Sequence, residues 1–167
     1  MNKLSLGPIT ACFNKTGAVA GTTNSFTTTA ASQCAIKGKF TTALGVLTNS
    51  ATTPTLDANT GVAFAPILPN TAAAIIFGVN AAGTLVAVQG PAVATEAGVT
   101  TTVGAFAAAP QFPALPDNFC AIAYTIVRVA PSGGAGFVCG VTEWAASSMS
   151  CTTFANISTL PERPQIA

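Results

Sequence analysis

Histidine is missing altogether, and charge nearly so: the chain carries six Lys and Arg and five Asp and Glu among its 167 residues. Charged residues make up 7%, against about 25% in an ordinary globular protein. Each absence excludes something. Without His, the side chain that most often moves protons near neutral pH is gone, and so is the usual activator of a Ser or Cys nucleophile. The five acids, Asp57, Glu96, Asp117, Glu143 and Glu162, stand far apart in sequence, so a glycosidase-like pair would have to be brought together by the fold. No C-x-x-C spacing occurs, which removes the usual zinc frameworks. Phosphate-binding glycine loops and EF-hand loops are also missing. The residues therefore predict no catalytic side chain, no metal ligand and no cofactor.

Long apolar runs are interrupted too. Residues 58 to 95 carry no charge, yet Gly, Pro, Asn and Gln break them repeatedly, and a spanning helix needs about 20 apolar residues in sequence. The segment ITAC, ending at Cys12, looks like a lipoprotein cleavage site, but the apolar stretch before it is short and contains Pro8. A membrane partner is not expected. Net charge is +1, so no whole-chain attraction to nucleic acid is expected either.

What remains is abundant apolar residue and neutral polar cover. Hydrophobic residues make up 50% of the chain. Thr, Ser, Asn, Ala and backbone must coat the surface in place of ions. Soluble monomers usually keep a charged surface, whereas oligomer interfaces lose charge at their centres, so the composition predicts burial of surface in an assembly.

The few charges are unevenly spread. Lys3, Lys15, Lys37 and Lys39 all precede the first acid, Asp57. They read either as solvated lysines on an extended arm or as groups that dock on an acidic partner surface. Five cysteines are present, an odd number that leaves at least one unpaired within the chain. Cys120 lies in an apolar run and reads as a small buried hydrophobe. Cys12 and Cys34 fall in the polar, Thr-rich first third and are candidates for inter-subunit disulfides in an oxidising environment.

Short strands and Gly/Pro-rich turns are the recurring local pattern. Residues 1–40 read as an extended N-terminal arm, with 41–167 as a β-rich domain. Around a glycine, AIKGKFTTALGVLT (35–48) suits one or two strands. AAAIIFGVNAAGTLVAVQG (72–90) is two apolar runs joined by Asn-Ala-Ala-Gly, and predicts a hairpin pairing 73–79 with 84–89. VTTTVGAF (99–106), FVCGVTEW (137–144, with Gly140 as a bulge) and MSCTTFANIS (149–158) read as further strands. Phe119 to Val129 reads as a central strand that is apolar on both faces. Its even positions, Cys120, Ile122, Tyr124 and Ile126, are larger on average than its odd ones, Ala121, Ala123, Thr125 and Val127. One face would meet the core and the other a second layer or a neighbouring subunit. Asp117 and Asn118 fit a turn that bonds local backbone. The fold class expected is all-β, a small β-sandwich or barrel-like domain.

The phrases PALPDNFCAIAYTIVRV, FVCGVTEW and TFANISTLPERPQ, with the hairpin IIFGVNAAGTLVAVQG before them, resemble structural proteins found in tailed-bacteriophage virion gene sets, of the capsid-decoration and appendage types. The resemblance spans about residues 65 to 167. It implies a trimeric β-rich protein of the capsid surface, with the major capsid protein and copies of itself as partners. Its role would be to decorate and stabilise a phage capsid by bridging neighbouring capsid subunits, with no enzymatic activity. The alternative within the same resemblance is a head-fibre or tail-associated protein that binds a host surface.

Overall fold

The computed structural model describes residues 9–49 and 53–164. Eleven strands and no helix occur among the described residues. In chain order they are β1 (Ala11–Cys12), β2 (Val19–Ala20), β3 (Phe26–Thr27), β4 (Cys34–Ile36), β5 (Lys39–Phe40), β6 (Thr71–Val79), β7 (Leu85–Gln89), β8 (Val93–Ala94), β9 (Cys120–Val129), β10 (Met149–Cys151) and β11 (Ala155–Asn156). They form three antiparallel sheets: β1-β4-β5, the pair β2-β3, and a six-stranded sheet ordered β10-β9-β6-β7, with β11 also on β9 and β8 also on β6. The fold is all-β, as the turn-rich sequence predicts.

The long strands β6 and β9 run side by side at the centre and carry the most apolar stretches of the chain. The hairpin from β6 to β7 forms in the expected register, with Val79 opposite Leu85 and Phe77 opposite Ala87. Asn80 closes its turn through side-chain oxygen bonds from the Ala82 and Thr84 amides, both 3.0 Å. Gly83 takes a left-handed φ of 79°, the conformation that glycine adopts without strain.

β9 is buried on both faces, but its faces do not follow simple alternation. The register against β6 slips between Phe77 and Gly78: Phe77 faces Ala123, whereas Gly78 faces Ala121. Ile122 is the extra residue of a β-bulge. Cys120, Ile122, Ala123, Val127 and Val129 all join the larger core, whereas Ala121 and Tyr124 pack in a second cluster and Ile126 in a third. The even positions of β9 thus divide between its two faces, where alternation predicts one. Gly78 makes the bulge possible, because a Cβ there would lie 2.5 Å from the Phe119 ring and 2.7 Å from the Cys120 carbonyl oxygen.

The chain itself covers the second face. Phe112 and Leu115, from the proline-stiffened connection before β9, pack on it with Ile157 and Leu160 from the C-terminal segment. Phe112 meets Tyr124 edge-on, with centroids 4.9 Å apart. The prolines that precede β9 therefore bring its lid as well as set its approach.

The N-terminal segment is not a free arm over its described part. Cys12, Ala18, Phe26, Cys34 and Ile36 belong to the same core as Phe77 and Ile122. Phe26 stacks at 4.7 Å against Phe77 of β6. The Thr-rich composition hides this, because the apolar residues that dock are single and widely spaced.

Three expected strands come out differently. Residues 99–106 form a tight reversal in which the Val99 and Thr102 amides each donate to the other's carbonyl, and Thr100 takes a φ of 49°. Only isolated bridges remain there, Val99 to Thr102 and Thr95 to Phe106. Residues 137–144 contribute one bridge, Phe137 to Ile67, before the chain turns at Gly140 with a φ of 74°. The single strand expected at 149–158 is split into β10 and β11. The pairing sum along β9 shifts by one residue between Cys151–Val127 and Ala155–Tyr124. At that break the Thr152 hydroxyl accepts the Ile126 amide at 2.9 Å, so a side chain replaces a ladder bond.

Candidate functional site

The small sheet β1-β4-β5 presents the most exposed aromatic surface. Ile36 pairs with Lys39, leaving Lys37-Gly38 as a two-residue turn with φ of 50° and 75°. Positive φ at both central positions is the type I′ signature, whose twist suits a hairpin. The turn sets Phe40 opposite Ala35. Phe13 extends β1 by donating its amide to the Gln33 carbonyl at 2.7 Å. Strand alternation then puts Phe13, Ala35 and Phe40 on one face, and Cys12, Cys34 and Ile36 on the other, which joins the core.

The two rings lie 5.7 Å apart and tilted by 51°. Phe40 is 81% exposed and Phe13 56%. Ile9, just before β1, is exposed as well. Sequence reasoning missed this patch. The signal was available: Phe13 and Phe40 are large apolar residues set among Asn, Lys, Gly and Thr, where no core-forming run exists to bury them.

The expected docking lysines do not share one face: Lys39 pairs with Ile36 and so projects from the side of the sheet opposite to Phe40. Lys37 and Lys39 flank Gly38 at the hairpin tip, Lys15 follows Phe13 by two residues, and all three are exposed. Lys3 lies outside the described residues. Lys37 is engaged, its Nζ 2.9 Å from Asp117 Oδ2, with both side chains well exposed. The hydrogen bond and charge of Lys37 hold the Asp117 carboxyl below the usual carboxylate range. Such an exposed pair adds little stability. Asp117 thus reaches across the fold rather than bonding local backbone. Its neighbour Asn118 does the same, accepting the Ala81 amide at 2.9 Å.

Cys12 and Cys34 are direct cross-strand partners within one chain. Their exposures of 0% and 1% remove the access that an inter-subunit disulfide would need. The Cys12 thiol is raised well above the ordinary range by its hydrogen bond with Cys34 and by burial. At Cys34, the hydrogen bond with Cys12 favours the thiolate. The hydrogen bond with Cys120 and burial outweigh it, leaving the thiol pushed up to about 12. Burial likewise raises Cys139, and pushes Cys151 up to about 12.

Asp57 and Trp144 are tied into the fold. Asp57 accepts the Asn59 amide at 2.7 Å on one oxygen and the Gln89 amide at 3.0 Å on the other, fastening a loop against β7. Trp144 is buried, stacks near Phe137 at 5.2 Å and donates its indole N–H to the Ser25 carbonyl at 2.8 Å. An open recess of about 400 Å³ between Val19, Thr23, Trp144 and Phe154 has Cys151 as the one titratable side chain in its described lining. Among the described residues no group of three or more His, Cys, Asp or Glu is placed to hold a metal ion. No helix there is long and apolar enough to cross a membrane.

Comparison of the chain with protein-family models, with curated proteins and with solved structures gave no match in any of the three.

Proposed function

We propose that this chain is a structural subunit of a phage virion, which decorates and stabilises the capsid by bridging neighbouring capsid subunits. The observation that carries the reading is the Phe13–Phe40 pair, two exposed rings held on a sheet whose opposite face is fixed in the core. Exposed aromatics on a rigid support are what a partner's pocket anchors, and interface centres favour them over charge. Lys15, exposed two residues beyond Phe13, suits an acidic border on the partner. The low charge of the remaining surface supports self-association, and the resemblance implies a trimer. Bridging then draws its strength from many simultaneous weak contacts rather than from one site.

The test pairs light scattering with co-sedimentation on expanded empty phage capsids, using wild type and a Phe13→Ser/Phe40→Ser double variant. Saturable capsid binding that the double variant loses supports the reading. A monomer that ignores capsids and binds bacterial cells instead shifts the assignment to a head-fibre or tail-associated role.

A further inference from the structure

We infer that Cys12 and Cys34 are a redox-convertible pair that closes an intrachain disulfide between β1 and β4 under oxidising conditions. The argument begins with the ladder. Cys12 and Cys34 are register partners. The Cys12 amide donates away from β4, to the Ser158 carbonyl at 2.8 Å, and the Cys34 carbonyl accepts from Thr41 on the β5 side at 2.9 Å. The next pair, Phe13 and Gln33, carries the backbone bond between the strands. Cys12 and Cys34 are therefore a non-hydrogen-bonded pair, the kind whose Cα atoms approach to about 4.5 Å with side chains closest. That separation falls within the range that a disulfide spans. Both side chains point to the same, inner face.

Cys120 is the competing thiol. It reaches Cys34 from β9, in another sheet, with no shared register to set the approach of the two backbones. The cross-strand pair is the one whose geometry the ladder fixes.

The chemistry balances with a low-molecular-weight disulfide, such as oxidised glutathione, as oxidant. One protein thiol gives up its proton and attacks that disulfide, forming a mixed disulfide and releasing one glutathione thiol. The second protein thiol gives up its proton and attacks the mixed disulfide, forming the Cys12–Cys34 bond and releasing the second glutathione thiol. Two electrons pass from the protein sulfurs to glutathione, and the two protons end on the released thiols. In the folded chain both thiols are buried and held protonated, so exchange belongs to the folding chain, before the inner face of β1 and β4 docks on the core. The bond would then fasten the sheet that carries Phe13 and Phe40, whatever partner that face takes.

The experiment refolds the full reduced chain from urea in a glutathione redox buffer, blocks remaining thiols with N-ethylmaleimide and maps tryptic peptides by mass spectrometry. Cleavage after Lys3, Lys15 and Lys37 separates Cys12 (residues 4–15) from Cys34 (residues 16–37), and Cys120 lies in residues 40–128. The expected product is a 4–15/16–37 cross-link, lighter by two hydrogens than its reduced parts. It should persist in a Cys120→Ala chain, and the chain refolded in the redox buffer should melt higher than the same chain refolded with reductant. Five blocked thiols, a 16–37/40–128 link, or a dimer through either cysteine overturns the inference. The wild-type map decides even if a variant fails to fold.

Discussion

Asn156 treats Ala18 as a neighbouring strand would. Its Oδ1 accepts the Ala18 amide at 2.7 Å and its Nδ2 donates to the Ala18 carbonyl at 3.1 Å, across 138 residues of sequence. One side chain thereby satisfies both backbone groups of a buried residue and ties the N-terminal segment to β11. Replacing it with Ala leaves that amide and carbonyl without partners, at roughly 1–3 kcal/mol each. Asn156→Ala should therefore cost about 3 kcal/mol, and Asn156→Asp, which sets a second carboxylate oxygen against the Ala18 carbonyl with no proton between them, at least as much. Urea denaturation followed by fluorescence of buried Trp144 measures both. A loss below about 1 kcal/mol for Asn156→Ala would show that the reciprocal pair is not what matters.

Gly78 carries the second prediction. A methyl group there meets the Phe119 ring at 2.5 Å and the Cys120 carbonyl, which is backbone and cannot swing aside. Overpacking of this kind costs about 1–3 kcal/mol, and loss of the bulge would also misdirect Ile122. Gly78→Ala should thus destabilise by about 3 kcal/mol. Gly45→Ala is the control: it is exposed, has no positive φ and has nothing within 4 Å of an added Cβ. That change should be neutral or slightly stabilising, because it restricts the unfolded chain. Similar losses at both sites would argue against the packing account.

Legibility in the sequence followed the range of the interactions. The β6–β7 hairpin is written locally, in Asn80, Gly83 and two flanking apolar runs, and it forms as read. β9 is visible as a doubly buried strand for the same reason. Its face assignment is not, because the bulge opposite Gly78 depends on a cross-strand pairing that no local pattern records. The segments 99–106 and 137–144 have strand-like composition, but Thr100 and Gly140 take left-handed conformations that end pairing. The docking of Phe26 onto Phe77 and of Cys12 onto Cys34 is long-range and carried by single residues, so the first 40 positions read as an arm. Among the site residues the lysines were legible as charge, whereas the Phe13–Phe40 pair appears only once the turn at Lys37-Gly38 folds β5 back.

Exposure separates folding from association at that pair. Phe40→Ser removes a ring that is 81% exposed, and surface changes of this kind usually fall within about 0.5 kcal/mol. Stability should hold, while self-association or capsid retention weakens at least tenfold, about 1.4 kcal/mol. Sedimentation across a concentration series reads the association. A Phe40→Ser protein that unfolds early but associates normally would assign the ring to folding instead.

Alkaline pH should unfold the reduced protein sooner than its composition suggests. Cys12, Cys34, Cys139 and Cys151 all have thiols raised in the folded state, Cys34 and Cys151 to about 12, chiefly through burial and thiol–thiol hydrogen bonds. An unfolded Cys ionises near pH 8.5. Below that pH both states hold their protons and the stability is present in full. Above it the unfolded chain releases protons that the folded chain keeps, so stability falls as pH rises toward the folded values. Each fully buried thiol contributes a slope of about 1.4 kcal/mol per pH unit in that window. Urea unfolding with reductant present should give a flat stability from pH 7 to 8 and a steep decline above about pH 9. Cys139→Ala should reduce the slope by one thiol's share, whatever it does to stability at neutral pH, because the slope counts protons and the intercept counts packing. A variant slope equal to wild type would mean that Cys139 ionises as readily folded as unfolded, and the burial argument for these thiols would fail.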